Sequence, residues 1–294
     1  MKIYSNVYVN LISVLLLVAT NIPITSVPEV IDQSRIYAEN DVYKIEITFL
    51  DCTKENADTL FFEERRLNYS GKFTYVETDN RIREYKYKND SLIVSVETYS
   101  LIHKNFISGA YYFYDYLNRI DKIEQVNKEH DITTTRNYIH DIDRIYKRID
   151  IKEKENHQTE VEYFYDSNKN IIEKEHSVGF KSSHFTALSK YSLKSEYDSN
   201  NNLISTFKIR GGEAYQIRDR FYNESGQLEE FNYYNKNWNR SWQCDYEFEL
   251  IQINEGDIVR HLYSYDSYGL VKEISILLDD TILAKYFYKY SPYP

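Results

Sequence analysis

Along most of the chain, hydrophobic and polar positions alternate with a period of two, interrupted at short intervals by Asp, Asn and Gly. In Ile258–Asp266, Val259, His261, Tyr263 and Tyr265 fall on one face; Ile258, Arg260, Leu262 and Ser264 fall on the other. In Thr281–Tyr290, Ile282, Ala284, Tyr286, Tyr288 and Tyr290 share one face. Successive side chains of a strand point to opposite sides, so a period of two predicts strands. No convincing amphipathic helix is present.

The interruptions repeat. Tyr263–Ile274 reads YSYDSYGLVKEI, and Tyr222-Asn-Glu-Ser-Gly-Gln-Leu228 and Tyr114-Asp-Tyr-Leu-Asn-Arg-Ile120 have the same form. Tyr165-Asp-Ser-Asn-Lys-Asn-Ile-Ile172 and Tyr197-Asp-Ser-Asn-Asn-Asn-Leu-Ile204 read as copies with one extra turn residue. Tyr87-Lys-Asn-Asp-Ser-Leu-Ile93 and Ile139-His-Asp-Ile-Asp-Arg-Ile145 are degenerate copies. The frame is an aromatic residue, Asp or Asn, two variable residues, Gly or Asn, one variable residue, then an aliphatic. Asp or Asn at the second position can accept hydrogen bonds from backbone groups ahead of it. Gly or Asn at the fifth takes positive φ at little cost. A type I turn followed by a left-handed residue makes a bulged hairpin, and the flanking aromatic and aliphatic pair across it.

A second set of turn signals lies between the first: Asn127–Asp131, Lys154–His157, Arg210–Gly212, Asn235–Asn237 and Asp279-Asp280. Turns at both ends imply an antiparallel meander. The alternation breaks between Trp238 and Tyr265, and Val178–Lys190 reads as a longer loop. Proline is absent between Pro28 and Pro292, as a continuous sheet requires. The fold class predicted is all-β: repeated antiparallel hairpins forming one large twisted or curled up-and-down sheet. Roughly fourteen to eighteen strands are expected, more than the ten or so an open twisted sheet carries without curling or splitting. An outer-membrane barrel is the competing closed form. It needs an outward apolar band, and Lys122, Glu124, Lys174 and Glu229 interrupt the strands, so a free soluble sheet is expected.

The Tyr-Asp-x-x-Gly/Asn-x-Leu/Ile unit resembles the YD repeat of Rhs-type and related exported bacterial proteins. The segment from Tyr234 through Trp238 and Trp242 to Tyr246 is similar to the Trp-containing insertion between such repeats. The resemblance covers Tyr75 to the C-terminus. It implies an extracytoplasmic β-sheet scaffold of a kind often labelled sugar-binding.

Composition sharpens this picture. Tyr supplies 31 residues against 14 Phe, and tyrosine suits a half-wet strand surface. The formal charge is -10, with no basic cluster of the kind a nucleic acid needs. At the N-terminus, Lys2, the apolar run Leu11–Ala19, and Pro23, Thr25 and Ser26 predict a signal peptide over 1–26. The mature chain, 27–294, is then a single Tyr-rich β-repeat domain with clear repeats from about 75, without a transmembrane segment, secreted or periplasmic. Cys52 and Cys244 are either a disulfide pair, which export permits, or two buried small hydrophobes.

Motifs for chemistry are sparse. His140-Asp-Ile-Asp143 offers metal-ligand atoms but occupies a repeat turn, and His157, His176 and His184 have no ligand-spaced partners, so neither metal nor cofactor is expected. Glu229 and Glu230 point to opposite faces, unlike a glycosidase pair. Asp51, Glu63 and Glu64 could face a common cleft. Tyr234, Trp238 and Trp242 share one strand parity and are the candidate ligand-binding residues; packing within the sheet is the competing reading. The expectation is a non-enzymatic scaffold or binding protein contacting a polysaccharide or an envelope or surface protein. The alternative is an extracytoplasmic hydrolase built from scattered carboxylates.

Overall fold

The protein's computed structural model describes residues 34–52, 60–78, 80–90, 92–141, 144–181, 185–234, 240–242, 251–253 and 257–293. A single turn of helix, α1 (Ser34–Glu39), precedes twenty strands. They are β1 (Val42–Asp51), β2 (Leu60–Leu67), β3 (Phe73–Thr78), β4 (Arg81–Lys88), β5 (Leu92–Ser100), β6 (Phe106–Tyr114) and β7 (Ile120–Val126). There follow β8 (Ile132–Asp141), β9 (Arg144–Lys152), β10 (His157–Tyr165), β11 (Ile171–Phe180), β12 (Ala187–Tyr197), β13 (Leu203–Arg210) and β14 (Glu213–Tyr222). The last are β15 (Leu228–Tyr234), β16 (Arg240–Trp242), β17 (Ile251–Ile253), β18 (Ile258–Tyr265), β19 (Val271–Leu278) and β20 (Thr281–Pro292). The all-β antiparallel reading is therefore correct. The region where the alternation broke holds a separate two-stranded ribbon, β16 with β17.

The sheet is not open. Eighteen strands pair antiparallel in sequence order, and β1 pairs with both β2 and β20, so the meander closes into a barrel. The alternation of side chains is identical in open and closed sheets, so period alone could not reveal this. The cause lies in the turns. A register shift falls just before the frame's first residue in copy after copy, between Lys86 and Tyr87, Phe113 and Tyr114, Phe164 and Tyr165, Phe221 and Tyr222, and Ser264 and Tyr265. A bulge bends its strand and increases the local twist. Bulges repeated at one height curl the sheet continuously, and closure removes both exposed edges.

The turns share one geometry. Asp115 Oδ1 accepts hydrogen bonds from the Leu117 and Arg119 amides at 2.8 and 2.9 Å, and Asn118 holds φ at +58°. Asp166 and Asp198 do the same for their turns, with Lys169 and Asn201 left-handed. Tyr165 pairs with Ile171 and Tyr197 with Leu203, so these two copies have the standard length, not an extra residue. The aliphatic that ends the frame is simply doubled in sequence, as Ile171-Ile172 and Leu203-Ile204. Leu67-Asn-Tyr-Ser-Gly-Lys-Phe73 is a further copy, with Asn68 Oδ1 taking the Ser70 and Lys72 amides. It is hidden in sequence because its apolar ends are exchanged, aliphatic first and aromatic last.

The abundance of tyrosine has a structural cause. Next to each frame turn, neighbouring hairpins splay and their ladder stops short of the rim. The β6–β5 ladder ends at Tyr111 opposite Ser95, which leaves the Ile93 carbonyl outside it. The Tyr114 hydroxyl donates to that oxygen at 2.6 Å. The pattern recurs at 2.7 Å from Tyr165 to Ile145, 2.9 Å from Tyr197 to Ile171 and 3.0 Å from Tyr222 to Leu203. It continues at 2.7 Å from Tyr265 to Leu228, 2.6 Å from Tyr290 to Val271, and 3.0 Å from Tyr293 to Leu67. A strand-end carbonyl needs a donor once the ladder has ended, and a tyrosine is long enough to bring one across the gap. The resulting ring of hydroxyl bonds runs round one rim. Tyr37 of α1 is buried just inside it, against Phe73 and Tyr290.

The apolar core is inside. Ile45, Ile47, Ile274, Ile276 and Tyr286 are fully buried there. The outer face carries cross-strand ion pairs, Lys86 with Glu97, Lys147 with Glu160, Arg260 with Glu230 and Lys285 with Glu273, and the along-strand pair Lys122 with Glu124. These pairs share the outer face with exposed Phe113, Ile139, Phe164 and Phe221. Of the four charges expected to interrupt the strands outwardly, Lys122 and Glu124 do so, and Glu229 is exposed at the register shift between Leu228 and Glu230. Lys174 instead faces inward, over the Tyr163 ring. The expected loop Val178–Lys190 is mostly strand, since β11 and β12 extend through it and pair Val178 with Ser189. α1 is the helix the periodicity did not predict; one turn is too short to show a period.

Candidate binding site on the inner wall

Register divides the inner wall into two arcs. β15, β18–β20, β1 and β2 present Phe231, Val259, Tyr263, Ile274, Tyr286 and Ile47, which pack as one apolar cluster; β2 adds Arg65, buried against the carboxylate of Glu63. β8–β14 present a different chemistry. Arg136 pairs across to Asp150, Arg148 to Val161, Val161 to His176, and Lys174 and His176 lie opposite Leu193 and Tyr191. Leu193 then pairs with Lys208, and Thr206 with Arg218. The same face of β8, β9, β11, β13 and β14 therefore carries Arg136, Arg148, Lys174, Lys208 and Arg218, and Asp150 is the acid beside Arg136 and Arg148.

Asp150 is held from both sides. Arg136 Nε donates to Oδ1 at 2.8 Å, and Arg148 Nη2 lies 3.0 Å from Oδ2. Arg148 Nη1 also donates to the Tyr163 hydroxyl at 3.2 Å, while its buried Nε has no hydrogen-bond partner. Beside it, His176 stacks on Tyr191 with ring centres 4.5 Å apart and planes within 9°. Lys208 sits over the other part of this platform, 4.8 Å from the Tyr191 centroid. Burial, and then the charges of Arg148 and Lys174, push the His176 imidazole down to about 4. It is neutral at physiological pH, with Nε2 buried and without a partner.

A cavity of about 170 Å³ opens against this arc, towards the rim opposite the tyrosine ring. Its charged lining is Arg136, Asp150 and Lys152; His157, Thr134, Thr159 and Gln125 complete it. Cations outnumber the single carboxylate, and hydroxyl and amide groups surround them. This arrangement can bind an anion or a polyhydroxylated molecule. It offers no second carboxylate with which Asp150 could share acid–base work.

The residues singled out from sequence are placed elsewhere or fall outside the described residues. Tyr234 ends β15 on the outer face, and its hydroxyl donates to Asp219 Oδ2 at 2.7 Å. Trp242 is in β16, opposite Ile251; Trp238 and Cys244 lie outside the described residues. The amide of Cys52 donates to the Leu283 carbonyl at 2.9 Å, beside β20. His140 lies near the end of β8 rather than in the turn, with Nε2 donating to the Ile120 carbonyl at 2.7 Å; Ile142, Asp143 and His184 are outside the described residues. Glu63 and Glu64 do not share a cleft: Glu63 is buried inside with Arg65, and Glu64 is outside with Arg66 at 2.8 Å. No group of three or more metal-ligating side chains is assembled among the described residues.

Sequence reasoning missed Arg136, Arg148, Asp150, Lys174, Lys208 and the cavity. One signal was available: Arg148-x-Asp150-x-Lys152, Lys174-x-His176 and Arg218-x-Arg220 alternate with the strand period. In β8–β14 both faces are polar, so alternation could not say which face is inside.

The fold and this site define a class: a closed antiparallel hairpin barrel with ion pairs along its outer wall and a cation-rich inner arc. No family model matches the chain, and no curated relative matches it. Among solved structures it is similar to a porin-like protein from Bacteroides uniformis, at 8% identity and a TM-score of 0.41 over 85% of this chain and 98% of that one. A porin-like protein from Bacteroides vulgatus overlays at 14% identity and a TM-score of 0.36, covering 86% and 100%. The TcdB2-TccC3 structure overlays at 12% identity and a TM-score of 0.39, covering 81% of this chain but 13% of that chain. Likenesses at this level do not assign the chain to either group.

Proposed function

We propose that this chain is an exported, non-enzymatic β-barrel scaffold that binds glycans or other cell-envelope components. The observation that carries the reading is the division of charge between the walls. The outer wall neutralises its carboxylates with lysine and arginine strand by strand. The inner arc concentrates arginine and lysine around one acid and a polar cavity. The stacked His176–Tyr191 platform adds a flat surface of the kind that sugar rings favour. The outer Tyr234, with Trp238 and Trp242 beyond it in sequence, is a second candidate contact for a polysaccharide or surface protein.

The test is retention of the purified mature chain on a panel of polysaccharides and envelope fractions, with released reducing ends assayed in parallel. Retention without release supports a binding protein. Steady release of reducing ends, abolished by Asp150→Asn, establishes a hydrolase instead and overturns the proposal. Absence of retention on every member of the panel also overturns it.

A further inference from the structure

Among the described residues, the cavity on β7–β10 is lined by two cationic side chains, Arg136 and Lys152, and one carboxylate, Asp150. Arg136 and Arg148 both turn to Asp150, and their side chains are only 6% and 11% exposed. One carboxylate therefore serves two buried guanidinium groups. Burying a charge without a counter-charge is costly, since the water that screened it has been lost. Lys152 lines the same space, with its ammonium 3.0 Å from Glu155 on the turn outside. His157 faces it from the next strand, paired across to Lys152. Arg136 and Lys152 thus face a space that is large enough for a small group and already ringed by Thr134, Thr159 and Gln125.

We infer that this cavity binds an oxyanion group, and that the group is the carboxylate, sulfate or phosphate of an acidic saccharide. The inference rests on the glycan-binding reading and narrows it to anionic sugars. Guanidinium groups match the planar spacing of oxyanion oxygens and make short charge-assisted bonds with them. Arg136, which lines the cavity, is held in place by Asp150, so little side-chain freedom is lost on binding. Lys152 and His157 are at the mouth, where they meet the ligand first. The threonines and glutamine provide neutral partners for sugar hydroxyls. A neutral sugar leaves the surplus charge uncompensated, so discrimination against it follows from the same geometry.

The experiment measures binding to the mature chain by titration calorimetry at constant ionic strength. Sodium sulfate, sodium phosphate, glucuronate and glucose are the probes, with chloride as the background anion. Sulfate, phosphate and glucuronate are expected to bind and glucose is not. Lys152→Gln is expected to weaken them about tenfold or more, as loss of a charge-assisted bond does, and to leave the unliganded melting temperature unchanged. His157→Gln is a second variant at the mouth, in case Lys152→Gln fails to fold. Binding of no anion above the chloride background overturns the inference, as does wild-type affinity in both mouth variants. Binding of sulfate or phosphate but not glucuronate keeps the oxyanion site and removes the saccharide. Polysaccharide retention that survives both mouth variants keeps the scaffold reading and removes this site from it.

Discussion

His140 Nε2 donates to the Ile120 carbonyl at 2.7 Å, in the place on β8 and β7 where Tyr165 and Ile145 meet on β10 and β9. The imidazole is thus a substitute for a tyrosine in the rim ring. Replacing it with tyrosine restores the common solution, while alanine leaves a strand-end carbonyl without its donor. His140→Ala is expected to cost about 1–2 kcal/mol and His140→Tyr to stay within about 0.5 kcal/mol of the parent. Denaturant midpoints decide it: a tyrosine variant as weak as the alanine one means the carbonyl bond is not what the position supplies.

The ring makes a matching prediction for its ordinary members. Tyr165→Phe removes only the hydroxyl that reaches Ile145. The expected loss is about 1 kcal/mol, read as a melting temperature lower by roughly 2–4 °C. Tyr116 lies at a turn tip and is 89% exposed, so Tyr116→Phe serves as the control and should melt with the parent.

The turns predict substitutions of opposite sign at equivalent positions. Gly226 holds φ at +77° with no atom within 4 Å of an added Cβ. Gly226→Ala is therefore a pure backbone effect and should cost about 1–2 kcal/mol. Lys169 occupies the same turn position with φ at +67°. Lys169→Gly should stabilise by up to about 1 kcal/mol, because the side-chain strain exceeds the added chain entropy. Thermal melts of the two variants should move apart, and a common direction would sink the turn argument.

His176 should make stability depend on pH. Its folded value is lowered to about 4 by burial first, then by Arg148 and Lys174, with Lys208 adding and Asp150 opposing. The unfolded chain takes up the proton near 6.5, so the folded state binds fewer protons between the two values. Stability is full above about pH 6.5, declines as pH falls towards 4, and changes no further on this account below that. The total is on the order of 2–3 kcal/mol. In His176→Gln the decline over this window should be shallower by that amount. Equal slopes in urea titrations at pH 7, 5.5 and 4.5 would show that the ring is not buried as described.

Much of the wall was legible before any coordinates. The faces of Ile258–Asp266 follow the expected parity, with Val259, His261 and Tyr263 buried. Gly211-Gly212 and Asp279-Asp280 form tight turns with positive φ throughout. These features are local, set by side-chain alternation and by the backbone freedom of particular residues. Closure was not legible, because it depends on small bends added over eighteen strands. The cavity was not legible either. Arg136, Asp150 and His157 come from three strands, and only the accumulated register brings them together. In β12 the outward Lys190 and Lys194 look no different in sequence from the inward Lys174 and Lys208 on neighbouring strands. Ile282 is exposed although it shares parity with Ala284 and Tyr286, because the register slips between Ile276 and Leu277 opposite it.

The pairing of β1 with β20 also governs the order in which the molecule can be completed. The Tyr293 amide donates to the Asp41 carbonyl at 3.1 Å, so the two ends of the barrel touch. A stacked repeat protein gains stability unit by unit and tolerates the loss of a terminal unit. Here the first strand waits for the last, and every shorter piece has two bare edges inviting other chains. Emergence of the C-terminal strand is then the event that turns a sticky ribbon into a sealed cylinder. Because its ends meet, the cylinder has no natural first strand: linking Asp41 to Tyr293 and reopening the chain at Gly211-Gly212 leaves the same barrel with a new order of assembly.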